Sequence, residues 1–269
     1  MDMEQKDIII TDTIDGIGAR EYENYLGHAL CLDGECTFEW CGQKMAMHAG
    51  DLLIVRRGKL MEHIEPDAAF RVKMIYVSAQ FITLSTPQSN YGMKGQLALF
   101  LNPIMHLTPV MFAQCLRNFD NLQARILETS HHFYRELMVN AVQTMILDFF
   151  DFHSRLYGEQ DVSSQSAAIM NGFIRLLELG EYRRHREVTW YADQLCVTSK
   201  YLSEVSKKTS GYAANFWINR YTTLDISRLL RDKRLTFVQI SDIFGFSSPA
   251  YFSRYVAHNL GMNPTEYRE

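Results

Sequence analysis

Short polar and basic side chains occupy matching positions in two copies of one pattern near the C-terminal end of the chain. Residues 192–205 recur as residues 241–255, with one extra residue in the second copy. In each copy a hydroxyl residue, Thr198 or Ser248, is placed to cap a helix, and Pro249 suits the first turn of the second one. Hydroxyl, ammonium and guanidinium groups near the start of a helix can donate hydrogen bonds to base edges and phosphates. The pattern therefore favours nucleic-acid binding.

A tight turn precedes the cap in both copies. The small residues Ala192 and Ser241 allow two helices to approach closely, and four positions later Cys196 and Gly245 fall in the turn. Each copy therefore predicts a helix-turn-helix unit whose second helix begins at the cap. One such pattern would be weak evidence, because many helical pairs carry small residues there. Two copies in one segment make the prediction much stronger.

The exposed positions near the start of each second helix are the predicted DNA contacts. Lys200 and Arg254 can donate to guanine, and Lys207 and Lys208 are placed for phosphates, although each could also be an ordinary solvated charge. For Glu204 a role as spacer or intrahelical partner is favoured over reading cytosine. The full set is Ser199, Lys200, Ser203, Glu204, Lys207 and Lys208 in the first unit and Ala250, Ser253 and Arg254 in the second.

A helix is predicted between the two units, from about Ala213 to Arg231. A helix of about 19 residues is roughly 28 Å long. Two second helices held by it could lie about one duplex turn apart, ~34 Å, and enter successive major grooves on one face of DNA.

The charge distribution agrees with a polyanion partner for the C-terminal part. The 269 residues carry a net charge of -4, but residues 1–164 have 13 basic and 21 acidic residues, and residues 165–269 have 14 and 10. The five cysteines are too few for a disulfide scaffold. Because no apolar run is long enough to span a membrane and no signal-peptide pattern is present, we expect a cytoplasmic protein with no membrane partner.

The N-terminal part reads as strands. From Tyr22 to Phe81, apolar and polar residues alternate between turn signals, which predicts an antiparallel sheet closed into a small barrel or sandwich. Asp33-Gly34 is a hairpin signal that would make Cys31 and Cys36 a cross-strand pair with α-carbons about 4.5 Å apart. That spacing permits a disulfide, but two buried thiols in a reducing cytosol are the favoured interpretation.

Inward-facing residues of such a barrel could line an effector cavity, although they are more often simply core. The candidates are Phe38, Trp40 and Tyr76. His28, His48 and His63 invite a metal interpretation, but a clustered pair of histidines with a downstream glutamate is absent, and scattered histidines are usually structural. We therefore expect no metal, no cofactor and no catalytic residue.

Two helices are predicted after the strands, at about 110–129 and 131–157, with Thr108 as cap and Pro109 as first residue. The second carries an apolar seam that either packs on the barrel or joins two copies; both interpretations stay open. Gly158–Ser166 has no periodicity and is predicted to be a linker. The seam consists of Phe133, Leu137, Ala141, Met145, Phe149, Phe152 and Leu156.

The C-terminal part resembles the AraC/XylS family of bacterial transcription regulators. The resemblance covers Ala167–Arg268 and implies a seven-helix DNA-binding domain attached to a sensing and dimerising domain that is often cupin-like. It also implies gene activation through contact with RNA polymerase. The matching motifs are Leu195, Ser199–Ser203, Gly211, Trp217–Arg220, Leu229–Leu230, Ile240–Arg254 and Gly261–Arg268.

The sequence departs from the family pattern at several positions. Ser241 and Ile226 replace the usual alanines, Thr222 stands where arginine is frequent, and Ser206 where an aromatic residue is common. Val256-Ala257 replaces the usual Phe-Lys, which removes a phosphate contact from the second unit.

Taken together, the sequence predicts an α+β protein of two domains that regulates transcription as a homodimer on double-stranded DNA. Residues 1–157 form a cupin-like antiparallel β-barrel with two helices, 158–166 the linker, and 167–269 the all-α double helix-turn-helix domain. A small-molecule effector is possible. One alternative is a cupin-type metalloenzyme with an accessory DNA-binding tail. Another is an interaction protein whose helical domain has lost DNA binding.

Overall fold

The structure is a computed structural model that describes residues 6–86, 98–158 and 163–268. The chain divides into two compact units, Met1–Glu159 and Gln160–Glu269. The first unit combines antiparallel sheets with helices, and the second is helical, so the predicted α+β class with two domains is confirmed.

The first unit contains two antiparallel sheets. The larger has the strand order β1-β7-β2-β5-β8, and the smaller has the order β4-β3-β6. Within the described residues these sheets do not close into the predicted barrel. The strands are β1 Ile8–Thr11, β2 Tyr25–Asp33, β3 Glu35–Trp40, β4 Gln43–His48, β5 Asp51–Val55, β6 Met61–Pro66, β7 Arg71–Ser78 and β8 Ile104–His106.

Strand β2 is central to this unit because both of its faces are buried. Leu26 and Leu30 belong to the core on the helical side of the larger sheet, whereas Ala29 and Cys31 belong to the core shared with the smaller sheet. This alternation is the period-2 pattern of a strand covered on both sides. The unit therefore has three layers: the smaller sheet, the larger sheet and the helices.

The predicted hairpin at Asp33-Gly34 is wrong. Strand β2 pairs with β5 and β7, while β3 pairs with β4 and β6, so Cys36 lies opposite Met47 and not opposite Cys31. Gly34 still makes a left-handed turn, at φ +71°, but the turn carries the chain from one sheet into the other. The dipeptide specifies a local turn, whereas the pairing of a doubly buried strand is decided by distant strands.

Both thiols of the expected pair are free and buried. Burial raises the pKa of Cys31 and of Cys36 to about 11, so each is protonated at neutral pH and a poor nucleophile. They behave as small core residues.

The helices of the first unit whose two ends both lie within the described residues are α1 at Ala79–Ser85, α2 at Pro109–Arg125 and α3 at Tyr134–Tyr157, and residues 98–101 are helical as well. The predicted cap is confirmed, because Thr108 accepts a hydrogen bond from the backbone N–H of Met111 at 3.4 Å, with Pro109 in the first turn. Four residues of the seam are buried and pack the core of the unit, so a dimer contact would need other residues. The four buried residues are Ala141, Met145, Phe149 and Phe152.

The second unit contains seven helices within residues 163–268, the number that the resemblance implies. Helix α4 begins inside the predicted linker, because the Ser163 hydroxyl accepts from the backbone N–H of Ser166 and caps it. Among the described helices of both units, none is long and apolar enough to cross a membrane. The helices are α4 Ser164–Glu178, α5 Val188–Gln194, α6 Ser199–Ser210, α7 Ala214–Arg231, α8 Phe237–Ile243, α9 Pro249–Leu260 and α10 Pro264–Arg268.

Replacing the buried His28 should make the stability of the first unit less sensitive to acid. Burial, together with the charge of Arg56, lowers the pKa of His28 to about 4, whereas an unfolded histidine titrates near 6.5. The unfolded state therefore takes up a proton first, and stability falls as the pH drops from about 6.5 to 4. Between pH 7 and pH 5 the native protein should lose about 2 kcal/mol more than His28→Leu.

Urea unfolding monitored at both pH values measures this difference. The exposed imidazole of His132 provides a matched control, His132→Leu. Identical acid sensitivity in the native protein and His28→Leu would contradict the assignment.

Candidate DNA-binding surface

The two predicted helix-turn-helix units are present as α5 with α6 and α8 with α9. Their turns are closed by the same hydrogen bond: the N–H of Val197 donates to the carbonyl of Ala192 at 2.9 Å, and that of Phe246 donates to Ser241 at 3.0 Å. Both carbonyl residues are buried. The repeat seen in the sequence is therefore a repeat in backbone geometry.

The residue at the centre of each turn has a left-handed backbone. Cys196 has φ +53° and Gly245 has φ +58°. Glycine adopts this conformation without steric cost, whereas a residue with a β-carbon does so at about 1–2 kcal/mol. The turn geometry thus requires the same backbone twist in both units, although only one uses glycine.

Hydroxyl caps begin both second helices, which we call the reading helices α6 and α9. Thr198 accepts from the backbone N–H of Tyr201, and Ser248 accepts from that of Tyr251, both at 3.1 Å. Pro249 occupies the first turn of α9, as predicted. Each cap satisfies a backbone donor that the helix itself leaves unpaired.

The predicted contacts of α6 lie on its solvent side. Lys200, Glu204, Lys207 and Lys208 are exposed, and Ser199 and Ser203 are half-buried. The Nζ of Lys200 lies 4.0 Å from Oε1 of Glu204, one helical turn away. Glu204 therefore lies near a lysine of its own helix, while its role in DNA binding stays a prediction. The opposite face of α6 is buried through Leu202, Val205, Ser206 and Thr209.

The second reading helix has fewer charges on the same face. Ala250 and Arg254 are exposed, Ser253 is half-buried, and the guanidinium carbon of Arg254 lies 6.0 Å from the Tyr251 ring centroid. Val256 is buried, while Ala257 is exposed. Ala257 leaves a solvent-facing position without a cation.

Sequence reasoning missed one pair on these surfaces. Tyr201 and Tyr251 occupy the third position of α6 and α9 and expose 36% and 46% of their surface. A hydroxyl-bearing ring at this position can reach a phosphate. The signal lies within the repeat itself, because each tyrosine stands three residues after its cap, Thr198 or Ser248.

Five of the six departures from the family pattern lie in the core, Ser241 and Val256 among them. The Thr222 hydroxyl is buried and donates to the carbonyl of Ile218 at 2.7 Å, and that of Ser206 donates to Tyr212 at 2.7 Å. Ile226 is buried as well. These substitutions change packing inside the unit and remove no exposed DNA contact.

A buried carboxylate holds the connecting helix α7 to the segment before α5. Asp225 accepts from Nε of Arg183 at 2.7 Å, from Nη2 of Arg228 at 2.9 Å and from the Tyr182 hydroxyl at 3.0 Å. Burial alone raises the pKa of Asp225, but these cations outweigh burial and hold it below its usual range. Its contribution to stability is therefore present at neutral pH and lost only in acid, as the pH falls through the lowered pKa.

The predicted effector residues all lie in the core between the two sheets of the first unit. Phe38, Trp40 and Tyr76 are buried; the indole N–H of Trp40 donates to the carbonyl of Phe100 at 3.0 Å, and the Tyr76 ring stacks on Tyr22. The Tyr76 hydroxyl is buried and has no hydrogen-bond partner in the described part of the chain. The structure brings these residues together, while their role in ligand binding stays a prediction.

The three histidines considered for a metal are dispersed. His28 is buried against Phe149, His48 is exposed and lies 3.4 Å from Glu35, and His63 is exposed on β6. Residues 6–86, 98–158 and 163–268 contain no group of three or more metal-ligating side chains.

Comparison with known proteins relates the second unit to one domain family. Residues 191–269 match the family model of a helix-turn-helix domain. No curated protein matches the chain.

The solved structures that are similar to this chain are remote. ToxT from Vibrio cholerae O395 shares 14% identity at a TM-score of 0.45, over 97% of this chain and 92% of that one. ToxT with bound unsaturated fatty acid, from Vibrio cholerae strain SCE256, shares 13% at 0.44, over 91% and 87%. The AraC-like transcriptional activator CuxR shares 10% at 0.39, over 81% and 76%.

Exchanging the turn residues should change stability in opposite directions. Cys196→Gly should stabilise the helical unit of the protein, Gln160–Glu269, by about 0.5–1 kcal/mol because it removes the left-handed strain. Gly245→Ala should destabilise it by about 1 kcal/mol, and for a purely conformational reason, because the added β-carbon would lie 4.0 Å from the nearest atom, the carbonyl of Arg183.

Urea unfolding of each variant measures these changes. Cys196→Ala is the matched control, since it removes the thiol but keeps the β-carbon. If Cys196→Gly is no more stable than Cys196→Ala, the expected gain from relief of the left-handed strain is contradicted.

Proposed function

We propose that this protein, whose residues 191–269 form an AraC-type helix-turn-helix domain, is a transcription regulator that reads two successive major grooves of specific DNA sites. The observation that carries the proposal is the duplication of one turn-and-cap geometry, with a polar solvent face on each reading helix. A helix-turn-helix domain binds nucleic acid and is no catalytic module, so the match of residues 191–269 supports the regulator over the metalloenzyme alternative.

The length of α7 supports binding to neighbouring grooves. Its 18 residues span roughly 27 Å, and both reading helices pack against it. The repeat of the major groove along one face of the duplex is ~34 Å. A rod of this length is compatible with two helices entering successive grooves.

In this proposal the two helix-turn-helix units contribute unequally to the affinity for DNA. The exposed face of α6 carries Lys200, Lys207 and Lys208, whereas that of α9 carries Arg254 and lacks a cation at Ala257. Phosphate contacts supply most of the salt-dependent affinity, and contacts to base edges supply specificity. The first helix-turn-helix unit therefore contributes more of the electrostatic attraction to DNA.

The structure weakens the alternative of a helical domain that has lost DNA binding. Thr222 and Val256, two of the departures from the family pattern that raise this alternative, are buried and add nothing to the solvent face of the domain. Glu204 has a lysine partner in its own helix. Glu204 and Ala257 are the two of these positions that are exposed.

The first unit is proposed to modulate DNA binding through a small molecule held between its sheets. The buried Tyr76 hydroxyl supports this, because a buried polar group ordinarily has a hydrogen-bond partner, and Tyr76 has none among the described residues. Homodimer formation and contact with RNA polymerase follow from the family resemblance.

Removing either principal reading side chain should weaken specific binding. Lys200→Ala and Arg254→Ala should each cost about 1–3 kcal/mol on a duplex selected from a random library, since each removes charged donors from a base or phosphate. Fluorescence anisotropy measures the dissociation constants. Arg175→Ala, an exposed cation on α4, is the control; a reading variant that binds as tightly as this control would leave the list of DNA contacts.

Adding the missing cation at Ala257 should strengthen binding and increase its salt dependence. DNA binding predicts that log K falls with log salt by about 0.9 per neutralised phosphate, so Ala257→Lys should steepen the slope by about 0.9. Asn121→Lys adds the same charge to an exposed position of α2 and should leave the slope unchanged. A flat salt response of the native protein would contradict DNA binding itself.

A further inference from the structure

We infer that Arg186 is a positioning residue that fixes the second helix-turn-helix unit relative to the first, so that the protein accepts one spacing between two DNA half-elements. The inference rests on the proposed function. It concerns the segment 182–186, which immediately precedes α5 and which we call the strap.

The strap is attached to the first helix-turn-helix unit and to the connecting helix α7. The Tyr191 hydroxyl on α5 donates to the carbonyl of His185 at 3.0 Å, and Nε of Arg183 donates to Asp225 on α7 at 2.7 Å. The strap therefore cannot move without breaking a contact to one of these helices.

Arg186 extends from the strap to the second helix-turn-helix unit. Its Nη1 donates to the carbonyl of Phe244, the C-cap residue that follows α8, and to the carbonyl of Arg183 in the strap. A cation at this place also interacts favourably with the negative end of the helix dipole. One guanidinium thus joins the strap directly to the end of a helix 58 residues away in the chain.

The same side chain contacts the core beneath the second reading helix. The guanidinium carbon of Arg186 lies 4.3 Å from the centroid of the Phe246 ring, well within cation–π range. Phe246 is buried, and its ring centroid lies 5.4 Å from that of Phe252 and 5.2 Å from that of Tyr255, both on α9. A displacement of α9 therefore displaces the ring on which Arg186 lies.

Two separate attachments restrict motion that one rod permits. Both reading helices pack on α7, and α9 adds a hydrogen bond from the Tyr255 hydroxyl to Asn219 at 3.3 Å. Contacts along one helix still allow rotation about its axis. The strap, held by both α5 and α7, adds a contact at the end of α8 that lies away from the surface of α7, and it therefore opposes this rotation.

Spacing selectivity in DNA binding tests the inference. Duplexes selected by the native full-length protein from a random library define the two half-elements, and versions with one base pair inserted or removed between them are then measured. The native protein should bind the altered duplexes at least about tenfold more weakly, because one base pair moves and rotates the second groove. Arg186→Met, which keeps an unbranched apolar stem but loses both hydrogen bonds, should reduce this penalty to less than about threefold.

The controls separate positioning from charge and from folding. Arg184→Met removes an exposed positive charge from the same strap and should keep the native penalty. If thermal melting shows that Arg186→Met does not fold, Arg186→Lys replaces it: the ammonium can still reach the Phe244 carbonyl but cannot lie flat on the ring, and the penalty should fall at least twofold.

The outcomes that overturn the inference differ from the one that overturns the proposed function. A folded Arg186 variant with the native spacing penalty, or a native protein that binds all spacings equally, overturns the role of the strap while DNA binding stands. A native protein that selects no sequence from the library overturns the proposed function.

Discussion

The buried carboxylate of Asp225 is the group on which the arrangement of the helical unit depends. Burial of a lone carboxylate is costly, and three donors from Tyr182, Arg183 and Arg228 offset that cost. Two of these donors come from the segment before α5, so satisfying the carboxylate also draws that segment onto α7. Arg186 is placed by the same event, and its contacts to Phe244 and Phe246 follow from it.

The two reading helices show how one backbone design carries different surfaces. The turn hydrogen bond, the hydroxyl cap and the buried helix face are repeated in both helix-turn-helix units, and they determine the backbone of each unit. The exposed residues differ: a lysine-glutamate pair occupies one helix, and an arginine beside a tyrosine occupies the other. Recognition can therefore change at the surface without loss of the fold.

The helix-turn-helix units could be predicted because their signals are local. A hydroxyl cap, a left-handed turn and a buried helix face all lie within about 15 residues, and each acts on its own neighbours. The sheet pairing could not be predicted, because Asp33-Gly34 specifies a turn but not the strand that Cys36 will meet. The contacts of Arg183 and Arg186 escaped the sequence for the same reason: their partners are distant in the chain.

The edges of the larger sheet constrain how two copies of this protein can associate. Its outermost strands, β1 and β8, have four and three residues, so each offers few unpaired backbone groups to a neighbouring chain. Continuing the sheet across two molecules would gain only a handful of hydrogen bonds. Joining two copies through an edge of the larger sheet would therefore add little stability, whereas an association through side chains of helices or sheet faces could be tuned by substitution without disturbing the backbone pairing inside each subunit.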